Sequence, residues 1–154
     1  MIIWLTGQPG SGKTTLANEL LLKIQSQKSI KKIINIDGDD LRNISKNQDY
    51  SKEGRIKNIS TAISIMRFLC NKNYLCIISI VAPYKFLRDE LKNEFPFLEV
   101  YLHTSETRGR EDYFAKDYEI PTDPNTLSID TGKSTIKEST DEILDVYRQM
   151  ATLA

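Results

Sequence analysis

The sequence is poor in the residues that build metal centres and disulfide frameworks. It contains two cysteines, Cys70 and Cys76, and one histidine, His103, in 154 residues. Neither cysteine stands at a metal-ligand spacing from the other or from His103, which argues against a zinc site. We expect both thiols to be buried and reduced, one at a helix end and one in a strand. His103 follows a strand and has the chemistry of a base, but a lone histidine is more often structural or merely exposed.

An excess of one charge and a long apolar run are also missing. Lysine and arginine number 21, aspartate and glutamate number 21, and the formal net charge is zero. This balance argues against nucleic acid or a membrane surface as a partner, so any bound anion needs a local site. The apolar runs are short, and residues 1–6 lack the charged region and cleavage pattern of a secretory signal. We therefore expect a cytoplasmic protein.

The sequence does contain an alternation of short apolar runs with helical patterns. The apolar runs predict strands at 1–6, 31–37, 74–84, 97–104 and 126–131, and helical spacing is found at 13–27, 55–72, 84–95 and 133–150. Residues 116–126 are the least regular stretch. This order predicts an α/β sandwich with a mostly parallel five-stranded sheet, whose ligands bind beyond the carboxyl ends of the strands. The length favours one domain spanning residues 1–154.

The segment GQPGSGKT, residues 7–14, matches the phosphate-binding pattern G-x-x-x-x-G-K-S/T. It follows a predicted strand and precedes a predicted helix, which is the context that this pattern requires. In such a loop, backbone N–H groups turn towards an anion, Lys13 reaches the β and γ phosphates, and Thr14 ligates Mg²⁺. The alternative is a glycine-rich turn with a chance lysine. We predict that ATP contacts Gly7, Gly10, Ser11, Gly12, Lys13, Thr14 and Thr15.

A second motif, NIDGDDLR at residues 35–42, carries three carboxylates at the end of the second predicted strand. Asp37, Asp39 and Asp40 repel one another unless a cation or an arginine such as Arg42 compensates. A site that holds Mg²⁺ and a proton-accepting carboxylate has this composition, and phosphoryl transfer to a hydroxyl needs both. The motif therefore favours a kinase over a switch protein or a motor ATPase. The alternative is a solvated acidic turn, with Asp39 or Asp40 as the cap of the next helix.

Three segments in this order resemble the motifs of the adenylylsulfate kinase family: IWLTGQPGSGKTTLA at 3–17, IDGDDLR at 36–42 and DYSKEGRIKNI at 49–59. SIVAPYKFLRDEL at 79–91 and LSIDT at 127–131 resemble later parts of the family, so the resemblance covers most of the chain. It implies a P-loop NTPase three-layer sandwich with helices on both faces of the sheet. It also implies ATP and Mg²⁺ as cofactors, a small-molecule nucleotide substrate and assembly as a homodimer.

The resemblance assigns a role to each matching residue. Asp39 falls on the family's catalytic aspartate, which accepts the proton of a ribose 3′-hydroxyl as that hydroxyl attacks the γ-phosphate. Lys13 is the second catalytic residue, and Thr14 and Asp37 hold Mg²⁺ directly or through water. The residues expected at the acceptor nucleotide are Asp37, Arg42, Tyr50, Arg55, Asn58, Pro83, Tyr84 and Phe114, and Arg88 belongs to the same strand-end motif as Pro83 and Tyr84.

Three of these residues also have ordinary structural interpretations. The alternative for Tyr50 is an aromatic side chain that covers the hydrophobic core. Arg55 is compatible with a solvated helix charge, and Asn58 with an exposed helix residue. Their joint spacing favours the binding site.

The sequence departs from the family in the acceptor motifs and in the lid. Asp40 stands where the family has asparagine, and Gly54 where it has aspartate. The segment NIST at 58–61 lacks the arginine pair that follows in the family. The basic helical lid of the family is shortened by about a dozen residues, and closing lids exclude water and place charge on the transferring phosphoryl group. Arg108 and Arg110 both precede the shortened segment, and either can stack on adenine or reach the γ-phosphate, unless both lie on a charged helix face.

The predicted function is an ATP-dependent kinase that transfers the γ-phosphate to the ribose 3′-hydroxyl of adenylylsulfate or a similar nucleotide. The short lid and the NIST segment leave room for another modified nucleotide as acceptor, such as cytidine diphosphoramidate in polysaccharide decoration. A nucleotide-binding module with little turnover is the third interpretation. The guanine signature N-K-x-D is incomplete, because NKNY at 71–74 lacks the aspartate, and this disfavours a GTPase.

Overall fold

The structure, a computed structural model, describes residues 1–27, 30 and 32–153. The strands are β1 (Ile2–Thr6), β2 (Ile33–Asp37), β3 (Leu75–Ser79), β4 (Phe97–His103) and β5 (Leu127–Asp130). The helices are α1 (Lys13–Ser26), α2 (Gly38–Ser45), α3 (Lys52–Cys70), α4 (Lys85–Asp89) and α5 (Ile136–Leu153), with a short 3₁₀ helix at Glu111–Tyr113. Residue Lys31 of the second predicted strand lies outside the described residues.

The strands form one sheet in the order β2-β3-β1-β4-β5, and all four neighbouring pairs run parallel. β1 is the central strand, and all five of its residues are buried. A strand covered on both faces is expected to be continuously apolar, as IIWLT nearly is. The prediction of a parallel five-stranded α/β sandwich is confirmed.

Two apolar clusters cover the two faces of the sheet. Ile2 and Trp4 point into the cluster formed with α3 and α4, which includes Ile63 and Met66. Ile3 and Leu5 point into the cluster formed with α1 and α5, which contains Leu16, Leu20, Ile24, Ile143 and Leu144. Successive residues of a strand alternate between faces, so β1 supplies both cores. Helices on both faces complete the three layers.

Several predicted boundaries differ from the structure. β3 ends at Ser79, and residues 80–83 continue without regular secondary structure instead of extending the strand to residue 84. The helix predicted at 84–95 is only the five-residue α4, followed by turns. Residues 38–45 form a full helix, α2, in the segment that the sequence suggested only as a helix start. Its cap is Asp37, whose side chain accepts a hydrogen bond from the Asp39 amide, so Asp39 and Asp40 as cap were wrong.

The two cysteines are buried thiols, as expected. Cys70 ends α3, Cys76 lies in β3, and their sulfur atoms are 3.8 Å apart. In the described part of the chain, none of the helices combines the length and apolar character that a bilayer crossing requires.

Candidate active site

One cavity of about 430 Å³ opens at the carboxyl ends of the parallel strands. Parallel α/β sheets bind ligands at this edge, because the loops that follow the strands meet there. The predicted site residues in its wall are Gly10, Gly12, Lys13, Thr14, Thr15, Asp37, Asp39, Arg42, Tyr50, Arg55, Asn58, Arg108 and Arg110. The wall also contains residues that the sequence did not single out, namely Pro9, Gly38, Ser79, Ile80, Val81 and Tyr113.

The phosphate-binding loop owes its shape to glycines. A Cβ on Gly7 would lie 2.2 Å from the Leu102 carbonyl oxygen, so no larger residue fits against β4. Gly12 caps α1 at φ 99°, a left-handed conformation that glycine adopts without strain. Neither Gly7 nor Ser11 lies in the cavity wall, so contact of these two residues with ATP stays a prediction. The loop carries its anion-binding amides at the start of a 14-residue helix.

Lys13 is buried at the bottom of the cavity. Its ammonium group donates to the Gln8 carbonyl at 2.7 Å and to the Ser11 hydroxyl at 3.2 Å. Burial lowers the pKa of Lys13 to about 7, although the nearby carboxylates Asp39 and Asp37 act in the opposite direction. A buried ammonium held only by neutral oxygens is short of anionic partners, so a phosphate group is the ligand that this position lacks.

Asp37 joins the second motif to the phosphate-binding loop. One oxygen of its buried carboxylate accepts from the hydroxyls of Thr14 and Ser79, each at 2.8 Å. The other accepts from the Asp39 amide at 2.9 Å. A hydroxyl and a carboxylate in contact are the oxygen ligands that Mg²⁺ prefers, together with water and substrate phosphates. Among the described residues, no three or more His, Cys, Asp or Glu side chains are grouped so as to hold a metal ion.

The structure separates the three carboxylates of the second motif. Asp39 lies in the cavity wall, one residue into α2. Asp39 and Asp40 are both exposed, but only Asp39 lies in the wall. Asp39 is therefore the one of the two that an acceptor hydroxyl in the cavity can reach, and its role as the base stays a prediction.

Two buried arginines form the far side of the cavity. Arg42 donates to the carbonyl oxygens of Asn47 at 3.2 Å and Asp49 at 2.8 Å, and its guanidinium lies 4.2 Å from the centre of the Tyr50 ring. Arg55 donates to the Tyr50 carbonyl at 3.1 Å, and burial together with Arg42 lowers the pKa of Arg55. Both guanidinium groups lack a carboxylate partner among the described salt bridges. This wall suits an anionic ligand.

Asn58 adds an unpartnered acceptor to the same wall. It is 4% exposed, and its side-chain amide donates to the Gly38 carbonyl at 3.2 Å. No donor among the described residues lies within hydrogen-bond distance of its Oδ1. A buried unpartnered oxygen is costly unless a ligand satisfies it. The ordinary interpretations of Arg55 as a solvated charge and of Asn58 as an exposed residue were therefore wrong, and Tyr50 lines the cavity instead of covering the core.

Arg108 and Arg110 belong to the lid, residues 104–120, and have different contacts. Arg108 donates to the Gly10 carbonyl at 3.1 Å and to Thr131, and forms an ion pair with Glu106 at 2.7 Å. Arg110 lies in the cavity wall close enough to Lys13 to lower the pKa of that lysine. The segment forms a single 3₁₀ turn, so the interpretation of both arginines as a charged helix face was wrong.

Tyr113 was missed by sequence reasoning, which named its neighbour Phe114. The Tyr113 ring lies 5.5 Å from the Tyr50 ring, and the Tyr113 carbonyl accepts from Arg55 at 2.8 Å. Phe114 is exposed and lies outside the cavity wall. Nothing in the local sequence distinguishes the two adjacent aromatic residues, because the 3₁₀ turn decides which of them faces the cavity.

Pro83, Tyr84 and Arg88 lie behind the cavity wall. Arg88 is 1% exposed and pairs with the buried Glu99 at 2.9 Å. It also donates to the carbonyl oxygens of Ala82 at 2.6 Å and Glu119 at 2.7 Å. Burial raises the pKa of Tyr84 to about 12. These residues build the turn after β3 and fasten it to the lid, so direct contact of Pro83 and Tyr84 with substrate stays a prediction. His103 stacks on Tyr101 and lies outside the wall.

A parallel sheet of this order, with a phosphate-binding loop between its central strand and α1, defines the class of P-loop kinases. The family described as adenylylsulphate kinase matches residues 1–117. An adenylyl-sulfate kinase of Pseudomonas aeruginosa is 34% identical over 152 residues, covering 84% of this chain and 76% of the relative. That of Clostridium kluyveri is 27% identical over 166 residues, covering 94% and 82%. The chain belongs to the adenylylsulphate kinase family.

A solved structure shows the same fold. The APS kinase of Mycobacterium tuberculosis, in complex with AMPPNP and APS, has a TM-score of 0.78 at 21% identity, and the match covers 96% of each chain. This chain thus shares the fold of a kinase whose structure is known with AMPPNP and APS bound.

Proposed function

We propose that this chain transfers the γ-phosphate of Mg·ATP to the 3′-hydroxyl of adenylylsulfate. The observation that carries the proposal is a single cavity in which Lys13, Asp39 and Arg55 share a wall. The first residue suits a donor phosphate, the second a reacting hydroxyl, and the third an acceptor anion. The names of the relatives agree with this donor and acceptor.

The donor half follows from the phosphate-binding loop. Backbone N–H groups of residues 8 and 10–14 and the Lys13 ammonium hold the β and γ phosphates. Thr14 and Asp37 would hold Mg²⁺, which would offset negative charge on the phosphates. The contacts of Arg108 with the loop and Thr131 support a role beside the nucleotide. We assign the transferring group to Arg110, which lines the cavity near Lys13.

In the proposed reaction, the acceptor hydroxyl attacks in line with the γ-phosphate. Asp39 accepts the proton as the hydroxyl oxygen bonds to the γ-phosphorus and the bond to the ADP oxygen breaks. Arg42 and Arg55 hold the anionic end of the acceptor, and Asn58 Oδ1 accepts from one of its hydroxyl or amino groups. Transfer from one oxygen to another leaves ADP and a phosphorylated nucleotide, with no redox change.

A different acceptor base is the second candidate, and the aromatic contact favours it. Tyr50 and Tyr113 contact each other directly, with tilted rings, so a base has to displace one of them. Gly54 also reshapes this region, since a Cβ there would lie 2.1 Å from the Asp49 carbonyl oxygen. A pyrimidine base has one ring where adenine has two, so it needs less displacement. Homodimer assembly stays a prediction.

A coupled ADP-release assay with a panel of acceptors tests the proposal. Adenylylsulfate is expected to give the fastest release, with ³¹P NMR showing a new 3′-phosphomonoester. Faster release with a cytidine nucleotide would instead support the second candidate. No acceptor-stimulated ADP release with any member of the panel would overturn both and leave a nucleotide-binding module with little turnover. The exposed-lysine variant Lys137→Ala serves as the control for folded, active protein.

A further inference from the structure

Gln8 contacts the lid in a way that the phosphate-binding pattern does not require. Its position is one of the unspecified positions between Gly7 and Gly12. The Gln8 side chain donates to the Ala115 carbonyl at 2.8 Å and accepts from the Ala115 amide at 2.9 Å. One side-chain amide thus satisfies both backbone groups of one lid residue, as a neighbouring strand would.

The backbone of the same residue contacts the catalytic lysine. The Gln8 carbonyl accepts from the Lys13 ammonium at 2.7 Å. Gln8 is therefore a direct link between the group that binds the donor phosphates and the segment that covers them. Ala115 is 5% exposed, so its paired hydrogen bonds are shielded from competing water.

The lid has few contacts of its own around this point. Its internal backbone hydrogen bonds near the 3₁₀ turn run from Tyr113 to Arg110 and from Phe114 to Glu111. Beyond Gln8, the segment is fastened from outside by Arg55 at the Tyr113 carbonyl, by Thr6 at the Tyr118 hydroxyl and by Arg88 at the Glu119 carbonyl. Arg108 also ties its first half to Gly10 and Thr131. A segment with a single helical turn and short-range hydrogen bonds has low local stability, so side chains from outside set its position.

Arg110 and Tyr113 both face the cavity and lie within five residues of Ala115. Arg55 fixes the backbone at Tyr113, and Gln8 fixes it at Ala115. Loss of the second point lets the backbone around Arg110 and Tyr113 shift about its remaining holds at Arg108 and Tyr113. A displacement of about 1 Å in a charged group can cost up to about 100-fold in rate.

We propose that Gln8 is a positioning residue, which fastens the lid at Ala115 and thereby places Arg110 over the transferring phosphate. The placement of Arg110 at the reaction rests on the proposed function, whereas the fastening of the lid does not. The side chain of Gln8 does not touch the reacting atoms. It acts through the lid backbone, and so compensates for the shortness of the lid.

Hydrogen exchange of the intact protein tests the fastening without any activity. In Gln8→Leu, amides of residues 111–117 are expected to exchange about 30-fold faster, because two shielded hydrogen bonds are lost. Gln8→Glu keeps the acceptor and loses the donor, so an increase of about fivefold is expected. Gln149→Leu, the same change at an exposed position of α5, is the matched control and should leave lid exchange unchanged. Unchanged exchange in both Gln8 variants would overturn the proposal.

Steady-state kinetics with the best acceptor tests the positioning. Gln8→Leu should lower kcat about tenfold while the KM for ATP changes less than about twofold, since an interaction of the transition state is lost. Added to Arg110→Met, the same change should cost less than about twofold more, because Gln8 acts through Arg110. The positioning role would be overturned if the losses of kcat from the two changes multiplied in the double variant. It would also be overturned if the lid amides of Gln8→Leu exchanged faster while its kcat stayed normal. If no acceptor is turned over, the proposed function fails while the exchange result still decides the fastening.

Discussion

The phosphate-binding loop and the lid close the same cavity, but they obtain their shapes from different sources. Residues 7–14 are shaped by their own glycines and by the helix that follows. The lid has one 3₁₀ turn, and side chains from β1, from the loop itself, from α3 and from α4 hold it in place. A locally determined element can be read from a motif, whereas a segment held by distant side chains cannot.

The largest effect on catalysis is expected from a change in the phosphate-binding loop. Lys13→Ala should lower kcat about 1,000-fold, because the cation that stabilises the transferring phosphates is lost. The lid should keep its shape, since Gln8 contacts it through another atom. Initial rates of ADP release measure the effect, with Lys137→Ala as the exposed-lysine control. A rate within tenfold of the parent would contradict the role of Lys13.

The adjacent carboxylates Asp39 and Asp40 test whether a place in the cavity wall decides the role of a side chain. Asp39→Asn should lower kcat about 100-fold or more, because general-base catalysis contributes on this scale. ATP affinity, measured by calorimetry, should change little. Asp40→Asn is the matched control one position along α2 and is expected to have near-normal kcat. Equal losses in the two variants would mean that Asp39 has no special role.

The far end of the lid depends on a buried ion pair. Arg88→Met leaves the buried Glu99 with Lys92 as its remaining ionic partner and frees the carbonyl oxygens of Ala82 and Glu119. Breaking such a pair should lower the free energy of unfolding by about 3 kcal/mol. Urea unfolding measures this loss. Arg67→Met removes an exposed arginine, 36% exposed, from its pairs with Glu90 and Glu94 and should have a much smaller effect. Similar losses would show that burial of Arg88 is unimportant.

Proton uptake is the smallest of the expected effects. The pKa of Lys13 is lowered to about 7 in the nucleotide-free protein, and bound phosphates should raise it. Binding of a non-hydrolysable ATP analogue at about pH 8 should therefore take up close to one proton, and Lys13 should contribute none at about pH 5.5, where it is already protonated. Calorimetry in buffers of different ionisation enthalpy measures the uptake. Lys13→Arg stays charged and should abolish it; persistence in that variant would assign the proton to another group.

The sequence predicted the sheet and the donor site because both depend on local patterns. Alternating apolar runs predicted the parallel sheet, and the glycines and Lys13 predicted the phosphate loop. The short α4 and the end of β3 at Ser79 were not predicted, because the apolar run continues past the last ladder hydrogen bond. Helix α2 was missed because its polar sequence lacks a long apolar stripe.

The acceptor side could be predicted only in part. The spacing of the family motif at 49–59 predicted Arg55 and Asn58 as site residues. Their burial and the unpartnered Asn58 oxygen depend on how α3 packs against α2. The choice of Tyr113 over Phe114 depends on the 3₁₀ turn. Arg108 and Arg110 both line the cavity, and the contact of Arg108 with Thr131 joins residues that are distant in sequence.

By itself, the sequence determined the α/β class, the phosphate-binding loop and the order of the family's motifs, because glycine conformation and apolar periodicity act over a few residues. Only the tertiary structure decided that Asp39 and not Asp40, and Tyr113 and not Phe114, line the cavity. It alone joined Gln8 to Ala115. These choices depend on hydrogen bonds between residues as many as 107 positions apart, which no local pattern encodes.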